Sequence, residues 1–301
     1  MSEDQNTAGQ ASARIERWKP ILEKLNDIPT LPVVATKVTE LINDPNSSSG
    51  DIADVLKKDQ VLTAKVLKLI NSPYYGIPGE VTDVKRALAY LGFNTLAQLV
   101  LSISVINVFS ANKNTKFSLQ AFWKHALGTA VTSEVIAKKI GYEKPEECFT
   151  CGLLHDIGKI VLLQIAPEEF YRVVELAERE KISFFEAERR LEVPSHGYLG
   201  EYIADKWRLP MVIRMSIRYH HTNVAEMETI LESMKPAVQT VALANQLVVL
   251  NSIGYSGDAS GGLVNEDVLR PLGLAESDLK NIMDRATKDI DNASAFLRSA
   301  A

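Results

Sequence analysis

From Ala87 to Asn112 the chain carries no charged residue. A stretch of that kind must be hidden, either in a protein core or in a bilayer. Its most apolar part, Leu96 to Phe109, is interrupted by Gln98, Ser102, Ser104 and Asn107. It also falls short of the ~20 apolar residues that a membrane span needs. Leu96, Leu99, Val100, Ile103 and Ile106 recur at helical spacing. The LSISV alternation reads like a strand, but it lies inside the longer helical pattern. The stretch is therefore predicted as a buried helix and not as a membrane span.

The rest of the chain is punctuated by helix starts. Ser48 with Asp51, and Ser183 with Glu186, have the spacing of a capping box. Pro145 followed by Glu146 and Glu147, and Pro167 followed by Glu168 and Glu169, suit a first helical turn. There proline loses no hydrogen bond and carboxylates meet the positive end of the dipole. Asn-Gly hairpin signals between alternating apolar runs do not occur. The predicted fold class is all-α: a multi-helix bundle of two packed helical subdomains plus a C-terminal helical appendage. Two polar breaks, ANKNTK at 111–116 and IGYSGDASGG at 253–262, divide it. The expected scheme is a disordered tail at 1–12, an N-terminal subdomain at 13–112, a middle one at 117–252 and the appendage at 263–301.

Composition narrows the function classes. The net charge of −5 argues against a duplex-DNA partner, which calls for a basic surface. The start, MSEDQNTAGQ, lacks the positive-then-apolar pattern of a secretory signal. With the uncharged stretch read as core, the expectation is a cytoplasmic protein with no membrane partner. Two cysteines, Cys148 and Cys151, allow no disulfide framework. Their C-x-x-C spacing lacks both the βαβ setting of a redox motif and the second pair of a zinc site, so they are read as small buried residues.

The chemistry lies in the histidines. All five, His125, His155, His196, His220 and His221, fall in the middle segment. His155 is followed directly by Asp156, and His220 and His221 are adjacent. Imidazole and carboxylate together suit zinc, iron, manganese or nickel, and a helical bundle can converge them from several helices. Neighbours on a helix point about 100° apart. Asp156 could then offer its second oxygen to a second ion while His155 holds the first, as two-metal hydrolysis requires. Lys159, four residues after His155, shares that helix face. It is either a point charge for a phosphate oxygen or a surface lysine at a helix end. Tyr74 and Tyr75, in NSPYYG, either stack on a ligand or pack the turn against the second subdomain.

These segments together resemble the HD superfamily of metal-dependent phosphohydrolases, and within it the HDOD branch of bacterial signalling proteins. The resemblance runs from about Leu25 to His221. It is carried by IPTLPVVATKVTELINDP, KKDQVLTAKVLKLINSPYYG, DVKRALAYLGFNTLAQLVLS, FWKHALGTA, CGLLHDIGKIVL, SHGYLGEYIADKWRLP and IRYHHT. It implies a signalling or regulatory module that retains a site for one or two divalent metal ions. The implied ligands are His125, His155, Asp156, His196, His220 and His221. It marks Asp156 and Lys159 as the catalytic residues if the site is active as a phosphohydrolase or phosphodiesterase. The closing aspartate of the HD pattern falls near VALANQLVV, where Asn245 stands as the remaining implied ligand, an amide in place of a carboxylate and so a weaker one. Thr222 stands where the double histidine is otherwise followed by an acid, and the GYP signature of the cyclic-dinucleotide phosphodiesterases is absent. The implied partner is a signalling protein or a small phosphorylated ligand.

Overall fold

The computed structural model describes residues 18–109, 116–222, 227, 230–260, 262, 264 and 266–293. The expected tail at 1–12, most of the ANKNTK break and the last residues of the appendage lie outside them. Helices are the only regular elements among the described residues, as the all-α reading requires.

The N-terminal part holds α1 (Val33–Asn43), α2 (Ser49–Leu56) and α3 (Gln60–Ile70), followed by the long α4 (Val84–Phe109). Then come α5 (Leu119–Lys139), α6 (Pro145–Leu154), α7 (Ile157–Ile165), α8 (Pro167–Glu180), α9 (Phe184–Leu191), α10 (His196–Lys206) and α11 (Met211–Tyr219). The chain ends with α12 (Lys235–Leu250), the short α13 (Glu266–Leu269) and α14 (Glu276–Ala293).

The punctuation acts as expected. Ser48 and Asp51 close a capping box at α2. The Ser183 hydroxyl accepts the Glu186 N–H at the start of α9. Pro145 and Pro167 sit in the first turns of α6 and α8. The uncharged stretch forms most of α4, which turns sharply at Gly92 (φ 75°, ψ 175°). From Leu96 to Ile106 every residue of α4 is buried. The Ser104 hydroxyl donates to the Val100 carbonyl (2.7 Å), while Asn107 accepts from Lys65 of α3 (2.8 Å) and Ser102 meets Thr150 of α6 (3.4 Å).

Helix α4 lies between α1, α2 and α3 on one side and α6 on the other. Helix α5 is the axis of the second half, flanked by α6, α12 and α14. One continuous apolar cluster runs from Trp18 to Ala293. By length and composition Val84–Phe109 and Pro145–Ile165 could each cross a membrane, but both are mostly buried, as core helices of a soluble protein are. The NSPYYG turn packs inward. Tyr74 lies against Phe149 of α6, and its hydroxyl donates to Glu134 of α5.

Candidate metal centre

Four helical segments deliver the candidate ligands. His125 projects from the middle of α5 and His196 is the first residue of α10. The two doublets lie at helix ends. His155 caps α6, and Asp156 (φ −97°, ψ 8°) makes the corner before α7. His220 caps α11, with His221 in the turn beyond it. This corrects the expectation that His155 and Asp156 are neighbours on one helix that runs on to Lys159. A tight corner aims the carboxylate, where a helix would have fixed it by the 100° step.

Close backbone packing brings α10 to that corner. A Cβ on Gly158 would lie 1.8 Å from the His196 carbonyl oxygen and 2.7 Å from the Gly200 nitrogen. Only glycine lets α7 and α10 approach so nearly.

Asp156 is the centre of the arrangement. Its Oδ2 faces His125 Nε2 at 3.6 Å and His155 Nε2 at 3.4 Å. Its Oδ1 faces His196 Nε2 at 3.4 Å and His220 Nε2 at 3.5 Å. His221 joins the second group, so two sets of atoms that could ligate a metal share one carboxylate. Both oxygens are buried and accept no aligned hydrogen bond among the described residues. Such a carboxylate is costly to keep unless a cation occupies it.

Three of the imidazoles are oriented from behind. His155 Nδ1 donates to the Gly152 carbonyl (2.6 Å), and His220 Nδ1 to the Ile217 carbonyl (2.9 Å). His196 places Nδ1 2.9 Å from Glu188 Oε2, while its backbone N–H donates to Oε1 (2.8 Å). A nitrogen that donates carries the proton, so the opposite Nε2 has a free lone pair to offer a metal.

The electrostatics agree. Burial holds His125 down at about 3. Burial likewise lowers His196, His220 and His221. These rings are therefore neutral near pH 7, the form that binds a metal. Burial pushes Asp156 up, but His155 and Lys159 outweigh it and hold the carboxyl well below the usual range.

Lys159 is neither exposed nor free to meet a phosphate. It is fully buried, 2.9 Å from Asp156 Oδ2 and 2.5 Å from Asp258 Oδ2. Asp258 comes from the 253–262 segment, which the sequence presents as a break. Residues 253–260 fold back over the centre: the Tyr255 N–H donates to Ala121 of α5, and Gly254 lies against the backbone of His125. Asp258 Oδ1 also accepts the Phe184 N–H at the start of α9 (2.8 Å). Asp258 and Glu188 are the two site residues that sequence reasoning missed. Neither belongs to a recognisable motif.

A cavity of about 370 Å³ opens beside the second group of ligands. His220, His221, Asn245, Gln246, Phe185 and Asp258 help to line it. Asn245 is 4% exposed and its Oδ1 has no partner among the described residues. Cys148 and Cys151 are buried free thiols, and burial pushes Cys151 up to about 12. That fits the packing role expected for them.

Comparison with known proteins gives a consistent picture. The HDOD domain matches residues 28–223. A protein of Treponema pallidum is 27% identical over 229 residues, which are 76% of this chain and 43% of that protein. The chain thus spans less than half the length of that curated relative. An HDOD domain protein from Geobacter sulfurreducens superposes with a TM-score of 0.76 at 28% identity, over 95% of this chain and 98% of that one. A provisionally named phosphohydrolase from Shewanella amazonensis superposes with a TM-score of 0.72 at 22% identity, over 93% and 98% of the two chains. At that identity the likeness is one of fold.

Proposed function

The chain belongs to the HDOD domain family, and from that premise we propose that it is a signalling or regulatory helical module built round a divalent-metal centre. His125, His155 and Asp156 would hold one ion. Asp156, His196, His220 and His221 would hold a second, with Asn245 close by. The buried carboxylate of Asp156, with each oxygen facing two imidazole Nε2 atoms, suits that assignment, as do the anchored imidazoles. The donor set admits iron, manganese, nickel or zinc alike. A bound ion supplies Lewis acidity and ties together four segments that are distant in sequence.

The observation that carries the regulatory reading is the charge around the cavity. Among the described residues no Lys or Arg lines it, while Asp258 and Asp267 do. Lys159, the cation nearest the centre, is buried between two carboxylates. Asp258 is paired to Lys159 and Asp267 faces Arg270 at 3.7 Å, so apart from the proposed ions the described lining offers a phosphoester no lysine or arginine. The cavity therefore favours a signalling-protein partner over a phosphorylated ligand. A metal-dependent phosphohydrolase is the second reading. Its support is the full histidine set and the access that the cavity gives to His220 and His221.

The test is metal analysis of the purified chain, paired with turnover of generic phosphomonoesters and phosphodiesters. The wild type should carry one or two ions per chain and turn over little. Asp156→Ala should lose most of the metal, because both groups of ligands share that carboxylate. Unchanged stoichiometry in Asp156→Ala would refute the centre. Robust wild-type turnover would transfer the assignment to the hydrolase.

A further inference from the structure

Lys159 presents a problem that the rest of the centre does not solve. Its ammonium lies 2.9 Å from Asp156 Oδ2, the oxygen that His125 and His155 also face. An ammonium and a divalent ion compete for one carboxylate oxygen, and in a buried site neither is screened. A lysine paired to Asp156 alone would neutralise it and leave no net charge to attract a metal.

Asp258 supplies the missing anion. Its Oδ2 is 2.5 Å from Lys159 Nζ, nearer than Asp156 is. The Ser256 hydroxyl donates to the same oxygen (3.0 Å), and Oδ1 is fixed by the Phe184 N–H. Asp258 is therefore held in place independently of the lysine. Two carboxylates share one ammonium, and the trio keeps one net negative charge.

We propose that Asp258 is a positioning residue for metal binding: it takes the charge of Lys159 and so leaves Asp156 Oδ2 available to the ion held by His125 and His155. The inference rests on the metal reading of the centre and adds to it a residue outside the HD-like set. It makes the 253–260 segment part of the centre. Metal affinity then depends on the docking of a segment that lies beyond the end of the HDOD match at residue 223.

The experiment is a zinc titration of the full chain after chelator treatment, read by calorimetry and by metal content. The variants are Asp258→Asn, Lys159→Met and the double variant. Asparagine keeps an acceptor for the Phe184 N–H and removes the charge, turning an amide NH2 toward Lys159 and Ser256. Asp258→Asn should bind zinc at least ~10-fold more weakly at one site, the usual scale for residues behind the ligands. The double variant should recover wild-type affinity, since nothing is then left to hold away. A merely structural role for Asp258 would not be rescued by removing a lysine. Asp258→Asn binding like the wild type overturns the proposal, and so does a double variant as weak as Asp258→Asn. If circular dichroism shows Asp258→Asn unfolded, Lys159→Met decides: it should bind no more weakly than the wild type, and weaker binding overturns the proposal. A folded wild type that takes up no zinc overturns the metal reading itself.

Discussion

Replacing Gly158 with alanine should damage both the fold and the centre. The added Cβ would lie 1.8 Å from the His196 carbonyl oxygen and 2.6 Å from its carbon. Ordinary contact begins near 3.4 Å, so α10 must retreat from α7 by roughly 1.5 Å, and packed cores resist such shifts. The obstacle is backbone and cannot rotate aside. Overpacking ordinarily costs about 1–3 kcal/mol, and here the upper end applies. The helix preference of alanine over glycine returns about 1 kcal/mol. The net loss is about 2 kcal/mol, or about 3 °C in Tm for a chain of this size. The effect on the metal should be larger. His196 leads α10, with Nε2 3.4 Å from Asp156 Oδ1 and 3.2 Å from His220 Nε2. Metal–ligand distances tolerate only ~0.2 Å. The second ion should be lost, while the His125 and His155 side is kept. The assay is thermal unfolding in chelator together with zinc stoichiometry. Gly50→Ala is the control, since there a Cβ meets only the Ser48 hydroxyl at 3.5 Å. A Gly158→Ala protein that matches this control in Tm and zinc uptake would refute the close-approach argument.

Two further outcomes follow from the same geometry. Asn245→Asp should raise metal occupancy on the His196, His220 and His221 side, because an anion then faces that part of the cavity; equal titrations of wild type and variant would show that Asn245 does not limit the site. In the metal-free protein His125 should destabilise in acid. Its folded value of about 3 lies below the ~6.5 of an unfolded histidine, so the unfolded chain binds the extra proton and stability falls as pH drops from 6.5 toward 3. Urea unfolding at pH 7 and 5.5 should show about 1 kcal/mol of this, and His125→Phe should remove that share; the same pH dependence in both proteins would sink the assignment.

The candidate ligands were legible in the sequence because residue type and clustering are sequence properties. His125, His155, Asp156, His196, His220 and His221 needed no coordinates to be singled out. The same holds for helix starts such as Ser48 and Pro145, whose partners lie within a turn. What sequence could not supply was decided by tertiary contact. Local pattern runs His155 and Asp156 on as helix, whereas packing of α7 against α10 makes a corner there. Lys159 looks like a solvated lysine until Asp258, far along the chain, is placed beside it. Glu188 sits among surface charges in AERRLE and differs from Arg189 and Arg190 only in pointing at His196. Glycine and serine around Asp258 signal a turn, and they are also what allows the backbone to run close to α5.

The late position of Asp258 bears on how the protein is made. A growing chain that has released His221 from the ribosome already displays every imidazole, together with Asp156 and Lys159. It still lacks the Ser256–Asp258 segment, so the buried lysine has only Asp156 to answer it. At that stage the half-built bundle holds a neutral pair where the finished protein holds a net negative charge. Translation of the residues after α12 removes that block. If Asp258 acts as proposed, full metal affinity would be withheld from truncated or stalled products that end before it.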